Sequence, residues 1–155
     1  MGRDALKYLI LAAMLFALIT ITGCPSEGSA PKSAVKIPES QVNRTHMETA
    51  ASFATRICNK WNDGVFEPIS PVAATSQLIS ALPPERQKSM FEEQILPEYG
   101  EFKRLFYKET YIANGNHIFR FRGDFEKGGP EVRVTITPMG LVGGFWIRPW
   151  NEELE

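Results

Sequence analysis

The hydrophobic period of this chain changes once, from the period of a helix to that of a strand. His46, Ala50, Phe53, Ala54, Ile57, Cys58 and Trp61 recur at spacings of three and four, which draws one apolar stripe along a helix. Ser40 is the expected N-cap, and Asn62-Asp63-Gly64 supplies the stop, Gly64 being suited to a left-handed cap. Pro71 to Leu82 holds a second, weaker helical stretch. Pro83-Pro84-Glu85 opens a third helix with Phe91 and Ile95 inward, Pro97 ending or kinking it and Gly100 closing it. From Phe102 onward the period is two. Phe102 to Ala113 stops at Asn114-Gly115, a hairpin signal. Phe119, Phe121 and Phe125 then alternate with Arg120, Arg122 and Asp124, and Val132, Val134 and Ile136 with Arg133, Thr135 and Thr137. Helices first and an antiparallel meander of four strands second define an α+β fold. The 155 residues suit one domain.

Two details of the sheet follow from pattern. Closing the loop between Glu126 and Glu131 pairs Phe125 with Val132, Phe121 with Ile136 and Asp124 with Arg133. Leu141 to Pro149 returns as the last strand, where Gly143-Gly144 can form a bulge. With the bulge, Phe145 and Ile147 face the core and Trp146 and Arg148 face outward; without it the two pairs exchange.

The N-terminus reads as an address. A short basic start precedes an apolar run from Tyr8 to Ile21, shorter than the ~20 residues a membrane span needs. The run ends in Ile21-Thr22-Gly23-Cys24, which resembles the lipobox of bacterial lipoproteins. The resemblance implies cleavage between Gly23 and Cys24 and acylation of the Cys24 thiol, so that two or three chains hold the protein stably in a membrane. Residues 1–23 are then a signal peptide. Pro25 after the cysteine, in place of the Asp that often retains lipoproteins at the inner membrane, favours the periplasmic side of an outer membrane where one exists. Residues 24–39 carry three prolines and few large apolar residues, and read as a flexible tether to a single domain over residues 40–155.

Composition narrows function further. Net charge is −1, which argues against a protein held electrostatically to nucleic acid. Removing residues 1–23 takes away Arg3, Asp4 and Lys7 and leaves a mildly acidic chain. Two cysteines make no disulfide framework and two histidines no all-His metal site. No phosphate loop, nucleophile elbow or metal-spaced cluster is present, so no cofactor is expected.

Trp61-Asn62-Asp63-Gly64-Val65-Phe66, Tyr99-Gly100-Glu101-Phe102 and Gly140-Leu141-Val142-Gly143-Gly144-Phe145-Trp146-Ile147-Arg148-Pro149 resemble domain-of-unknown-function family 3887 over roughly residues 40–149. The order of elements resembles the nuclear-transport-factor-2-like, cystatin-like cone. The resemblance implies helices packed into a curved four-stranded sheet. It also implies an accessory role outside the cytoplasm, alone or beside hydrolase domains, and no particular reaction.

Among candidate site residues, Tyr107, Tyr111, His117 and Trp146 are the side chains expected to line a cone pocket. His46 and His117 are the only imidazoles, and the alternative reading, a small-pocket enzyme, would use one of them as acid or base. That reading needs both in one pocket with Asp63 or Glu109. Cys58 reads as an inert core thiol. Arg120, Arg122 and Arg133 share the outward face of the sheet, either as a solvated mixed-charge face or as a docking surface for an anionic partner. The expectation is a non-enzymatic binding module whose partners are the membrane, through Cys24, and an envelope protein or small ligand.

Overall fold

The computed structural model describes residues 34–154. The lipobox, its cleavage site at Gly23 and Cys24, and most of the expected tether lie outside the described residues.

Helix α1 (Arg44–Asn62) is the long helix that the apolar stripe predicts, and its buried residues are Ala50, Phe53, Ala54, Ile57, Cys58 and Trp61. Its cap is Asn43 rather than Ser40. The Asn43 side chain accepts from the His46 backbone N–H at 3.0 Å, while Ser40 sits in a separate 3-10 turn (Glu39–Gln41). Asn caps as well as Ser, and it stands next to the first helical residue. Helices α2 (Ser76–Ala81) and α3 (Pro84–Met90) follow, then a π turn (Phe91–Ile95) and the short α4 (Leu96–Tyr99). The π turn precedes Pro97, which has no N–H to give to the residue four before it. Gly100 ends the helical half at φ +75°; a Cβ there would lie 2.8 Å from the Cβ of Glu126.

The sheet has five antiparallel strands in chain order, not four: β1 (Val35–Ile37), β2 (Phe102–Ala113), β3 (Asn116–Phe125), β4 (Glu131–Ile136) and β5 (Val142–Arg148). The added strand comes from the segment that composition assigns to the tether. Val35 and Ile37 pair with Ile112 and Thr110 along the free edge of β2. Three residues of alternating pattern in a Pro- and Ser-rich stretch are too short a signal for a strand, and the edge of β2 supplies the ladder.

Asn114 and Gly115 both have positive φ and turn the β2–β3 hairpin as expected. The β3–β4 register differs from the expected one. Phe121 pairs with Val132, Phe119 with Val134 and His117 with Ile136, a displacement of four residues. An even displacement leaves every side chain on its own face, so face agreement could not detect it. The hairpin is wide because the end of β3 is held elsewhere: Phe125 pairs with Phe102 of β2, and Glu126 and Lys127 donate to the carbonyls of Glu101 and Tyr99. At β5 the bulge forms. Ile136 pairs with Val142 and Thr135 with Gly144, leaving Gly143 extra. Phe145 is accordingly buried, Ile147 packs against the core and Trp146 is exposed.

The core lies between α1 and one face of the sheet. Phe145 meets Phe53 and Trp61 edge to face, with centroids 5.7 and 5.8 Å apart. The Trp61 indole, 1% exposed, donates to Gln87 Oε1 at 3.1 Å. The Gln87 amide nitrogen donates to the carbonyls of Glu67 and Leu82 at 2.8 and 3.0 Å. Asn62 bonds reciprocally with the backbone of Phe102. Trp61 and Asn62 therefore fasten the end of α1 to the α2–α3 corner and to the start of β2.

Candidate functional site

The two imidazoles meet. His46 lies in the first turn of α1 and His117 near the start of β3, on the helix-facing side where it pairs with Ile112 and Ile136. Their Nδ1 atoms are 3.2 Å apart and their rings nearly perpendicular, with centroids at 5.0 Å. His117 also stacks on Phe119 at 6.0 Å. Burial and the neighbouring His46 hold the His117 pKa below the usual imidazole value. The carboxylates that an acid–base role needs are not with them. Asp63 caps the far end of α1, and Glu109 pairs with Arg120 on the opposite face of the sheet.

The four residues expected to line one pocket divide between the two faces. Tyr107 pairs with Phe121 and shares the helix-facing side with His117, and its hydroxyl bonds Thr110 Oγ1 at 2.9 Å. Tyr111 pairs with Ile118, and Trp146 with Arg133, on the back face. The split at β2 comes from a bulge between Tyr107 and Glu109, which reverses the parity that links Tyr107 to Tyr111. The helix-facing side of the sheet is filled by Phe119, Phe121, Val132, Val134 and Ile136, all buried. Beside α1, Phe53, Arg56, Glu67 and Ile69 border a cleft of about 190 Å³, and Thr45, Glu48, Val72 and Gly140 border a more open one of about 420 Å³.

The back face carries most of the unusual chemistry. Arg120 and Glu131 are wholly buried and Arg133 nearly so, which departs from a solvated strand face. Arg120 donates to Glu131 at 3.0 Å and also pairs with Glu109. Arg133 Nε donates to Glu131 at 2.6 Å, and Arg148 Nε lies 3.6 Å from the same carboxylate. Burial alone would raise the Glu131 pKa, but the bonds from Arg120 and Arg133 outweigh it and hold the carboxyl below its usual range. What covers Arg120 is the C-terminal segment. The Trp150 ring lies 4.6 Å from the Arg120 guanidinium and 5.4 Å from that of Arg122, and the Asn151 carbonyl accepts from Arg120.

Around this centre the face stays open. The Arg104 guanidinium, its side chain 68% exposed, lies over the Phe106 ring at 4.8 Å. Phe106 is 44% exposed and pairs directly with Arg122. The six-membered ring of Trp146 occupies the space above Gly144, where an added Cβ would come within 2.0 Å of it. Lys36, Arg104, Arg120, Arg122, Arg133 and Arg148 share this face with the carboxylates Glu109, Asp124 and Glu131. Cations thus outnumber carboxylates on these strands in a chain whose net charge is −1. The alternation of β3 and β4 places the arginines on this face but does not show the burial of Arg120, because the covering residue, Trp150, follows the last strand and carries no periodic signal.

Cys58 is buried in α1, and burial pushes its thiol pKa up, as for an inert core cysteine. Among the described residues no helix is long and apolar enough to cross a membrane. Among them, too, no three His, Cys, Asp or Glu side chains group so as to hold a metal. No protein-family model, curated protein or solved structure matches the chain.

Proposed function

We propose that this chain is a lipid-anchored, extracytoplasmic binding module without a reaction of its own. In this reading Cys24 carries the lipid and holds the protein at the cell membrane, on the periplasmic side of the outer membrane where the organism has one. The back face of the sheet receives an acidic segment of an envelope protein. The helices and sheet form a nuclear-transport-factor-2-like cone whose interior is occupied by its own aromatic side chains, and the resemblance to family 3887 belongs to the same proposal.

The observation that carries the binding role is the excess of cations over carboxylates on one sheet face, set among the exposed rings of Phe106 and Trp146. Complementary charge steers and orients a partner, and exposed rings give it apolar area to bury. The enzyme reading loses its motivation, since the carboxylates that would orient His46 or His117 stand elsewhere.

The anchor is tested by fatty-acid labelling in a lipoprotein-processing bacterial host. Wild type should take up label and lose residues 1–23, and Cys24→Ala should remain an unlabelled precursor. Wild type without label would overturn the anchor.

A further inference from the structure

The chain's two imidazoles, 71 residues apart in sequence, come together at a half-exposed position where the first turn of α1 meets the start of β3. Their arrangement is more specific than proximity. A metal about 2.05 Å from each Nδ1 would see the observed 3.2 Å separation at an angle of roughly 100°, close to tetrahedral. The same metal lying on both ring axes would set the centroids about 5 Å apart, given metal–nitrogen bonds of that length. The observed centroid distance is 5.0 Å. A straight N–H···N bond of the same length would set them at about 5.5 Å, because donor and acceptor axes then align. The near-perpendicular rings, 79° apart, let both lone pairs converge without the rings touching.

From this we propose that His46 and His117 form a two-imidazole site for a borderline divalent metal of the zinc class, bound through both Nδ1 atoms. Imidazole suits Zn²⁺ and rejects hard Mg²⁺. With only two protein ligands, the remaining positions belong to water or to an oxygen ligand from outside the chain. The site is on the helix-facing side of the sheet and is independent of the back face. A bound ion ties the first turn of α1 to β3, and since the unfolded chain offers no preformed pair, it stabilises the fold by mass action.

The test is titration of Zn²⁺ alone into the full chain in detergent, near neutral pH, followed calorimetrically. Cys24→Ser is included so that the thiol cannot compete. The expected result is one Zn²⁺ per chain and a melting temperature that rises with Zn²⁺. His46→Ala and His117→Ala should each weaken binding by about tenfold or more, and Mg²⁺ should give no heat. A second measurement needs no variant. Long-range imidazole nitrogen spectra of the unaltered chain should show the Nδ1 signals of both rings moving with Zn²⁺. Absence of saturation up to millimolar Zn²⁺, affinity unchanged in both histidine variants, or movement of neither Nδ1 signal would overturn the proposal. The contact would then be a hydrogen bond between the two rings.

Discussion

Arg120 and Glu131 lie on neighbouring strands of one sheet face, their side chains 3.0 Å apart, and neither retains any exposed surface. A buried pair of this kind is a weak source of stability while intact and a large cost when broken, because the surviving charge is left in a poor solvent. Glu131 also serves Arg133 and Arg148, so its loss takes a shared counter-charge from three guanidiniums at once. Glu131→Gln should therefore cost about 3–5 kcal/mol of unfolding free energy. A urea midpoint within error of wild type would show that the network relaxes around water.

The same carboxylate sets an acid limb. Its folded pKa is depressed, so the stability it contributes is present above the unfolded value, about 4.3. That stability is lost as pH falls through the folded value. Denaturation midpoints followed from neutral pH to pH about 3 should fall below that point in wild type. In Glu131→Gln they should be lower throughout, with a shallower acid slope. Equal slopes in the two proteins would remove Glu131 as the source.

The core network makes a separate demand. Trp61→Ala removes a ring packed on Phe145 and Phe91 and should cost about 3–5 kcal/mol. Gln87→Leu leaves the Trp61 N–H and the carbonyls of Glu67 and Leu82 without their partner. Each buried group so stranded costs about 1–3 kcal/mol. A Gln87→Leu protein as stable as wild type would mean that the corner at residues 65–70 opens to water.

Residues that pattern could read are those whose neighbours are close in sequence or fixed by parity. The α1 stripe and the Asn114-Gly115 turn are of this kind; at Gly143-Gly144 the pattern allows a bulge but leaves both parities of β5 open, and only the pairing with β4 decides between them. The β3–β4 register was not legible, since a displacement of four preserves the faces and the deciding contacts, Glu126 with Glu101 and Lys127 with Tyr99, come from the helical half. Strand β1 escaped notice because its order comes from the edge of β2 rather than from its own three residues. His46 and His117 were recognisable as the two imidazoles, but nothing in their spacing shows that they touch. The burial of Arg120 depends on Trp150 and Asn151, beyond any alternating segment.

Strand β1 has its own consequence. It brings Lys36 to Glu109 at 2.6 Å and covers the β2 edge. A chain beginning after Ile37 should be less stable than one beginning at Ala34 by about 1 kcal/mol, a usual size for losing one small set of contacts. Both should melt in a single transition. Identical melting temperatures would mean that the strand adds nothing to the fold.

The binding role is tested most directly where the partner would lie. A photoreactive phenylalanine analogue at Phe106, on the open part of the back face, can be compared with the same probe at Val72, which is 85% exposed. Both probes are carried by the intact lipoprotein and activated in membranes of its native host. A discrete cross-linked protein is expected from position 106 and none of that size from position 72. The adduct should disappear in a folded Arg104→Glu, Arg122→Glu protein, because the acidic segment would meet like charge. No adduct from position 106, an equal one from position 72, or one that survives both charge reversals would contradict the binding role.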